Sequence, residues 1–249
     1  MARDAHLSSG ETGEFARRAK AHFHQRGPAH KGVPRSQHAV WEVIAASFDR
    51  SRTRTWPHVH AFVAGLPAES RVLDLMAGNG RHTTVITAAG HQATWLDWSR
   101  PAARIAAARN RPAHIVVGDA AALPFADHSF DAAIVVAGLH SLPSAAGRLQ
   151  ALQELGRVLA PQGTAQVTVW SRDAPRFSTL GAPGDELDVE LPWRSDGHDE
   201  TRSYHLYTDG ALRRDCTAAG LVVRSMADVT ILGRGGPDNL VAVVAPAPS

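Results

Sequence analysis

The sequence is poor in cysteine, has no long apolar run and carries no excess charge of one sign. Cys216 is the only cysteine among 249 residues, which excludes an intramolecular disulfide and a cysteine-built zinc cluster and fits a reducing compartment. No apolar run approaches the roughly 18 residues of a membrane helix, no signal-peptide pattern opens the chain, and no stretch repeats. The expectation is a soluble, cytoplasmic protein with no membrane partner. With 26 Lys and Arg against 24 Asp and Glu, bulk electrostatics neither require nor exclude a nucleic acid, although the arginines leave a local basic patch open. Large apolar residues are scarce in residues 1–37, so this part reads as a mobile arm that adds little to a core. Its histidines, His6, His22, His24 and His30, are irregularly spaced with no carboxylate or thiol pattern beside them, so no metal site is expected.

What the chain does have is the alternation of apolar strands and amphipathic helices that an α/β sheet requires. Its length allows one large domain, 38–249, with an insertion at about 171–203. Val40, Val43, Ile44 and Phe48 recur at helical spacing from Ala39 to Phe48. Residues 49–57 break that helix, because Pro57 biases Trp56 toward an extended conformation. A second helix from about His58 to Ala64 leads to a strand at Arg71–Leu75. Then follow a helix from Arg81 to Ala89, a strand Ala93–Leu96, a helix Pro101–Asn110 and a strand Ile115–Val117. Phe130–Val136 reads as a buried strand, Ser144–Leu159 as a helix, Ala160–Gly163 as a turn and Thr164–Trp170 as a strand. The Asp-, Gly- and Pro-rich insertion reads as a poor core former. Thr208-Asp209 caps a helix to Gly220, and Leu221–Ile231 with Leu240–Val244 close the sheet as a hairpin.

Three strand ends carry an acidic residue: Asp74, Asp97 and Asp119. In an open α/β sheet, ligands lie across the carboxyl ends of the strands, so these side chains face one crevice. Gly78 and Gly80 follow Asp74 in a turn that can approach a ligand closely, and Asp97 comes about 20 residues later, the spacing at which a carboxylate meets ribose hydroxyls. Asp119, one strand on, can accept from an adenine amino group. Singly, each aspartate is as readily a helix cap; the ordered set argues for a nucleoside crevice.

Asp74 to Gly80, Asp97, Gly118-Asp119-Ala120 with Leu123-Pro124, Phe130-Asp131 and Leu159-Ala-Pro-Gln-Gly163 resemble the ordered motifs of class I S-adenosylmethionine-dependent methyltransferases, over about Ser70 to Trp170. The resemblance implies a Rossmann-like fold with a mostly parallel seven-stranded sheet ending in an antiparallel hairpin, and S-adenosylmethionine as cofactor. It implies that Asp74, Ala77, Gly78 and Gly80 hold the methionine end, Asp97 the ribose, and Asp119 with Ala120 the adenine, Trp98 and Ala137 completing the cofactor set. A dehydrogenase use of the fold is disfavoured, since the second glycine spacing of a dinucleotide fingerprint is missing. Met76 departs from the family pattern, which has glycine there. A methionine is expected to take an ordinary backbone conformation and to narrow the pocket.

Outside the core, Phe48-Asp-Arg-Ser-Arg52-Thr-Arg-Thr-Trp56-Pro57, Leu191-Pro192-Trp193 and Arg202-Ser-Tyr204-His205-Leu206-Tyr207-Thr-Asp-Gly210 resemble one subgroup, the tRNA methyltransferases that esterify the carboxymethyl group of the wobble uridine. The subgroup resemblance implies the tRNA anticodon loop as a partner, and a small zinc-binding activator subunit that covers an apolar sheet edge. Methyl transfer to a carboxylate needs alignment and desolvation more than a general base, and a guanidinium fork can hold both carboxylate oxygens. Arg52 is the first candidate for that task and Arg202 the second. His140 falls where the family places a substrate-facing histidine, and Ser141 replaces a second one. Tyr204, His205 and Tyr207, with Trp56, can meet an unpaired base, and Arg50, Arg54, Arg17, Arg18 and Lys20 can meet phosphates. The plain alternatives are solvated arginines, tryptophans that only pack, and a histidine that caps a helix. A small-molecule carboxylate or hydroxyl methyltransferase and a non-catalytic binding protein are the competing functions.

Overall fold

A computed structural model describes residues 36–180, 187–231 and 236–248, all within the unit Arg35–Ser249. The expected arm, with its histidines and Arg17, Arg18 and Lys20, lies outside the described residues. Ser36 caps the first helix, its Oγ accepting from the Ala39 N–H at 3.3 Å. In chain order the regular elements are α1 (Gln37–Ser51), α2 (Pro57–Ala64), β1 (Arg71–Leu75), α3 (Thr83–Ala88), β2 (Gln92–Asp97), α4 (Arg100–Arg109), β3 (His114–Val117), β4 (Phe130–Val136), α5 (Ala145–Val158), β5 (Leu159–Trp170), β6 (Leu187–Ser195), β7 (His198–Leu206), α6 (Asp209–Ala218), β8 (Leu221–Val229) and β9 (Asn239–Pro246). Among the described residues, no helix is long and apolar enough to cross a membrane.

Seven strands form one sheet in the order β3-β2-β1-β4-β5-β9-β8. β1 lies parallel between β2 and β4, and β9 inserts antiparallel between β5 and β8. The mostly parallel sheet with its antiparallel closing hairpin is as the family resemblance implies. Side-chain alternation on the strands sorts the core onto two faces. Leu73, Leu75 and Val135 pack with Leu152 and Leu155 of α5. Val72 and Ile134 pack with Val59 and Val63 of α2 and Ile86 of α3. With both faces covered, the central strands must be apolar on both sides, and each fully buried Leu or Ile contributes about 1.5–3 kcal/mol. Cys216 of α6 is wholly buried in the first cluster, and burial pushes its thiol up to about 12.

Three expectations need correction. Ala160–Gly163 is the start of β5 rather than a separate turn, since Leu159 already pairs with Phe130 and a register irregularity between Phe130 and Ala132 absorbs the extra residues. The helix expected from Arg81 begins at Thr83, with Arg81 and His82 in the turn before it. The described part of the insertion is not core-poor. β6 and β7 pair as an antiparallel hairpin that runs on to Leu206, beyond the expected boundary, and Val189, Tyr204 and Leu206 bury against Ala174 and Phe177 with Trp41 and Trp170 alongside. The apolar residues of this segment sit at alternate positions of twisted strands, where a composition average misses them.

Candidate active site

The carboxyl ends of β1, β2 and β4 open into a cavity. Its floor is the turn after β1. Gly78 and Gly80 have φ of +54° and +71°, the left-handed region that glycine enters without a Cβ penalty. A Cβ on Gly80 would also fall 2.9 Å from Ala106 Cβ of α4. The turn is pinned from several sides: the Ala77 N–H donates to the Leu96 carbonyl at 3.0 Å, Trp95 Nε1 to the Gly78 carbonyl at 3.1 Å, and the Gly78 N–H to Asp97 Oδ2 at 2.9 Å.

Met76 overturns its expectation: its φ is +55°. The left-handed conformation costs an ordinary residue about 1–2 kcal/mol, and Ala137, at the end of the adjacent β4, shares it with φ +56°. Met76 is accommodated because its neighbour Gly138 lacks a side chain; a Cβ there would lie 2.5 Å from Met76 Cβ and 3.3 Å from its sulfur. Gly138→Ala is therefore expected to destabilise the fold by about 1–3 kcal/mol through overpacking, and Met76→Gly to relieve most of that loss in the double variant. Thermal denaturation of the four-protein cycle measures the coupling, and additive effects would refute the contact.

The three aspartates lie around this cavity. Asp74 is buried beneath the turn, accepts from Thr83 Oγ1 at 2.6 Å, and is pushed by burial up to about 7 despite the Arg81 charge nearby. Asp97 accepts from Gly78 and from the Ser99 N–H at 3.0 Å, which fixes its carboxylate at the cavity wall, and burial raises its pKa as well. Asp119 is exposed at the rim, accepts from the Ala121 N–H at 2.9 Å, and is followed by buried Ala120. Trp98 lines the same end, its ring 5.1 Å from that of His38. α1 roofs the cavity with Trp41, Ala45 and Phe48. At the other end Arg81 and His82 are buried, and Arg81 Nε and His82 Nε2 have no hydrogen-bond partner. Burial lowers both, Arg81 to about 10. Arg81 lies 5.4 Å from the centre of the Trp56 ring.

Beside the cofactor end lies an aromatic and arginine cluster assembled from β5, β6, β7, α1 and the 3₁₀ turn Leu139–Ser141. Tyr204 is its centre, 4% exposed, with Trp170, His140 and Trp41 ring centres 4.4, 5.5 and 6.3 Å away. Arg202, 6% exposed, donates through Nη1 to the Tyr204 hydroxyl at 2.7 Å and lies 4.5 Å over the Trp193 ring, while its Nε has no partner. Arg52 stacks over Phe48 and Trp193 at 5.4 and 5.9 Å. Burial lowers the pKa of both arginines, and the charge of Arg202 lowers Arg52 further. His140 is fully buried, stacked 4.9 Å from Trp170, and its Nδ1 accepts from the Trp170 N–H at 3.2 Å. Burial pushes it down to about 3, so it is neutral, and the hydrogen bond at Nδ1 assigns its proton to Nε2. That Nε2 has no partner.

Of the residues singled out in the sequence, Arg52, Trp56, Asp74, Ala77, Gly78, Asp97, Trp98, Asp119, Ala120, Ala137, His140, Arg202 and Tyr204 all line this one cavity. Gly80 lies behind it, under α4. His205 is elsewhere: strand alternation turns it to the opposite side of β7 from Arg202 and Tyr204, where its Nδ1 meets Asp188 Oδ1 at 2.7 Å. Tyr207 is wholly buried, its hydroxyl donating to Asp215 Oδ2 at 2.9 Å, and cannot reach a base. Arg50 pairs with Asp196, and Arg54 is exposed. The sequence reading passed over Arg81, His82, Trp170 and Asn79. Arg81 and His82 directly follow the glycine turn, and that position was the available signal.

Residues 73–167 match a family model described as a methyltransferase domain. A tRNA (carboxymethyluridine(34)-5-O)-methyltransferase of Arabidopsis thaliana is 34% identical over 143 residues, 57% of this chain and 34% of that protein, so the chain spans about a third of that relative's length. A Schizosaccharomyces pombe protein of the same description is 27% identical over 203 residues, 74% of this chain and 87% of that one. Among solved structures, the complex between the Haloferax volcanii Trm112 methyltransferase activator and the putative methyltransferase matches with TM-score 0.65 at 17% identity, covering 87% of this chain and 100% of the matched chain. The Burkholderia thailandensis 1,6-didemethyltoxoflavin-N1-methyltransferase, with bound 1,6-didemethyltoxoflavin and S-adenosylhomocysteine, matches with TM-score 0.61 at 19% identity over 90% of this chain and 98% of that one. At these identities the two structures speak for the fold.

Proposed function

The chain is an S-adenosylmethionine-dependent methyltransferase in fold and core sequence, and from that premise we propose that it esterifies a carboxylate, the carboxymethyl group of a tRNA wobble uridine. The residues present fit the cofactor. The partnerless Arg81 Nε and, in its Nε2–H tautomer, His82 suit the methionine carboxylate, the buried Asp74 suits its ammonium, and Asp97 and Asp119 stand where ribose and adenine donors would fall. S-adenosylmethionine supplies a methyl group on a sulfonium centre, already activated for attack.

The observation that carries the choice of acceptor is that the substrate end of the cavity offers donors and no base. Arg202 Nε and His140 Nε2 are protonated and partnerless, and the Tyr204 hydroxyl, already accepting from Arg202, has its own proton to give. His140 is held far below neutrality and Tyr204 above its ordinary value, each by burial. None of these groups can take a proton from a hydroxyl or an amine at neutral pH. A carboxylate arrives with no proton to lose, suits an environment of donors, and gains nucleophilic character as water is excluded. Arg52, brought beside Arg202 by α1, completes the electrostatic complement to an anion.

The experiment is incorporation of labelled methyl from S-adenosylmethionine into tRNA carrying 5-carboxymethyluridine, followed across pH. With S-adenosylmethionine saturating, so that its ammonium holds Asp74 ionised, kcat/KM for the tRNA is expected to rise only through the acceptor's own carboxyl range, near pH 4, and to stay flat from about pH 6 to pH 9. A limb near pH 7 that belongs to His140 would refute the donor-only reading. The names of the relatives support tRNA as the carrier. The depth of Arg202 and Tyr204 favours a second reading, a small-molecule carboxylate, and methyl found in a metabolite extract but not in RNA would select it. The Haloferax complex supports a small activator subunit as partner. β3, one of the sheet's two edge strands, carries Val117 at 41% exposure and is an edge on which it can lie.

A further inference from the structure

The glycine turn and the Arg52 segment serve different ends of the cavity, and one side chain joins them. Asn79 stands between Gly78 and Gly80 and is 2% exposed. Its Nδ2 donates to Asp49 Oδ1 at 2.9 Å and to the Arg52 carbonyl at 2.8 Å, and its Oδ1 accepts from the Arg81 N–H at 3.3 Å. Arg109 of α4 closes the knot, with Nη1 to the Asn79 carbonyl at 2.6 Å and Nη2 to Asp49 Oδ1 at 2.7 Å. A short amide side chain can donate to a carboxylate and a carbonyl while accepting from an N–H; a carboxylate or an apolar side chain cannot.

We propose that Asn79 is a positioning residue that couples loading of the cofactor turn to the placement of Arg52, so that the carboxylate seat is complete only on the loaded protein. The identity of that seat rests on the function proposed above, whereas the coupling is a property of the turn and the segment. A ligand that restricts the turn restricts Asn79, and through Nδ2 it restricts the Arg52 backbone and the end of α1 at Asp49. By linkage, an acceptor held on Arg52 strengthens cofactor binding by the same factor. Cofactor and acceptor then bind cooperatively.

The test uses S-adenosylhomocysteine as the probe, with calorimetry for its affinity and hydrogen exchange of the amides of residues 51–56 for the coupling. In the wild-type protein the probe is expected to slow exchange there by about tenfold, the worth of one retained hydrogen bond. Asn79→Ala is expected to bind the probe within about threefold of wild type and to show no slowing. The reciprocal swap, Asp49→Asn with Asn79→Asp, guards against a variant that merely folds poorly. It restores an amide–carboxylate bond between the two side chains and keeps acceptors for Arg109 and for the Arg81 N–H, but offers no donor to the Arg52 carbonyl. It is expected to bind the probe within about threefold of wild type, which shows that its cofactor turn is folded, and to show no slowing. Slowing in either variant, or none in the wild type, overturns the proposal. Failure of the esterification reading would appear separately, as absence of methyl in tRNA whatever the exchange shows.

Discussion

Arg202→Met is expected to lower kcat/KM for methyl transfer by about 10²- to 10³-fold while leaving S-adenosylhomocysteine binding within about twofold of wild type. The methionine can keep the stem's packing against Trp193 and Tyr204, so the loss reads the guanidinium itself. The size follows from burial: a charge-assisted bond to an anion in a desolvated pocket is worth far more than one at a surface. Arg202→Lys retains the charge but loses the fork and the Nε donor, while the Nη1 bond to the Tyr204 hydroxyl holds the wild-type guanidinium in one orientation. It is expected to recover less than a tenth of the wild-type rate. Steady-state kinetics beside calorimetry separate these outcomes. If Arg202→Met transfers methyl at the wild-type rate, the anion is held elsewhere.

The second large effect is a pair of opposed changes from Asp74→Asn. Burial moves the Asp74 carboxyl from 3.8 up to about 7, so the folded protein binds this proton more tightly than the unfolded chain does. Its contribution to stability is therefore complete below about pH 4, declines as pH rises to about 7, and is level above. Asparagine has the same shape and still accepts from Thr83 Oγ1, without the buried charge. At pH 8 the cofactor-free variant is expected to be about 1–2 kcal/mol more stable, a rise in Tm of about 3–6 °C. The same substitution removes the carboxylate proposed to meet the cofactor's ammonium and is expected to weaken S-adenosylhomocysteine binding about 10²-fold. Melting curves at pH 5 and pH 8 test the sign: the stability gain must be larger at pH 8, and a gain equal at both would mean that burial of the charge is not the cause.

The succession of strands and helices, the three aspartates and the glycine turn were legible because each is a local pattern along the chain. Apolar strands buried on both faces announce themselves, and an acidic residue at the end of each stands out against them. Met76 was not legible, since its conformation is permitted by Gly138, sixty-two residues away in the chain. The hairpin β6–β7 was hidden by its composition, and the facing of His205 depended on a register that the sequence does not print. Arg202 and Tyr204 could be named as candidates from their motif, but not that one bonds the other and leaves its own Nε without a partner. Asn79 escaped notice because its partners, Asp49, Arg52 and Arg109, come from two helices distant in sequence.

The lone cysteine has a practical corollary. Cys216 sits at 0% exposure with its thiol pushed up to about 12, so it is inert toward thiol-directed labels in the folded protein. A cysteine introduced at exposed Thr53 would be the single reactive thiol on the native surface. A fluorophore or spin label attached there would stand next to Arg52 with no cysteine-free background to engineer first. The closing of the carboxylate seat could then be timed directly by stopped-flow mixing.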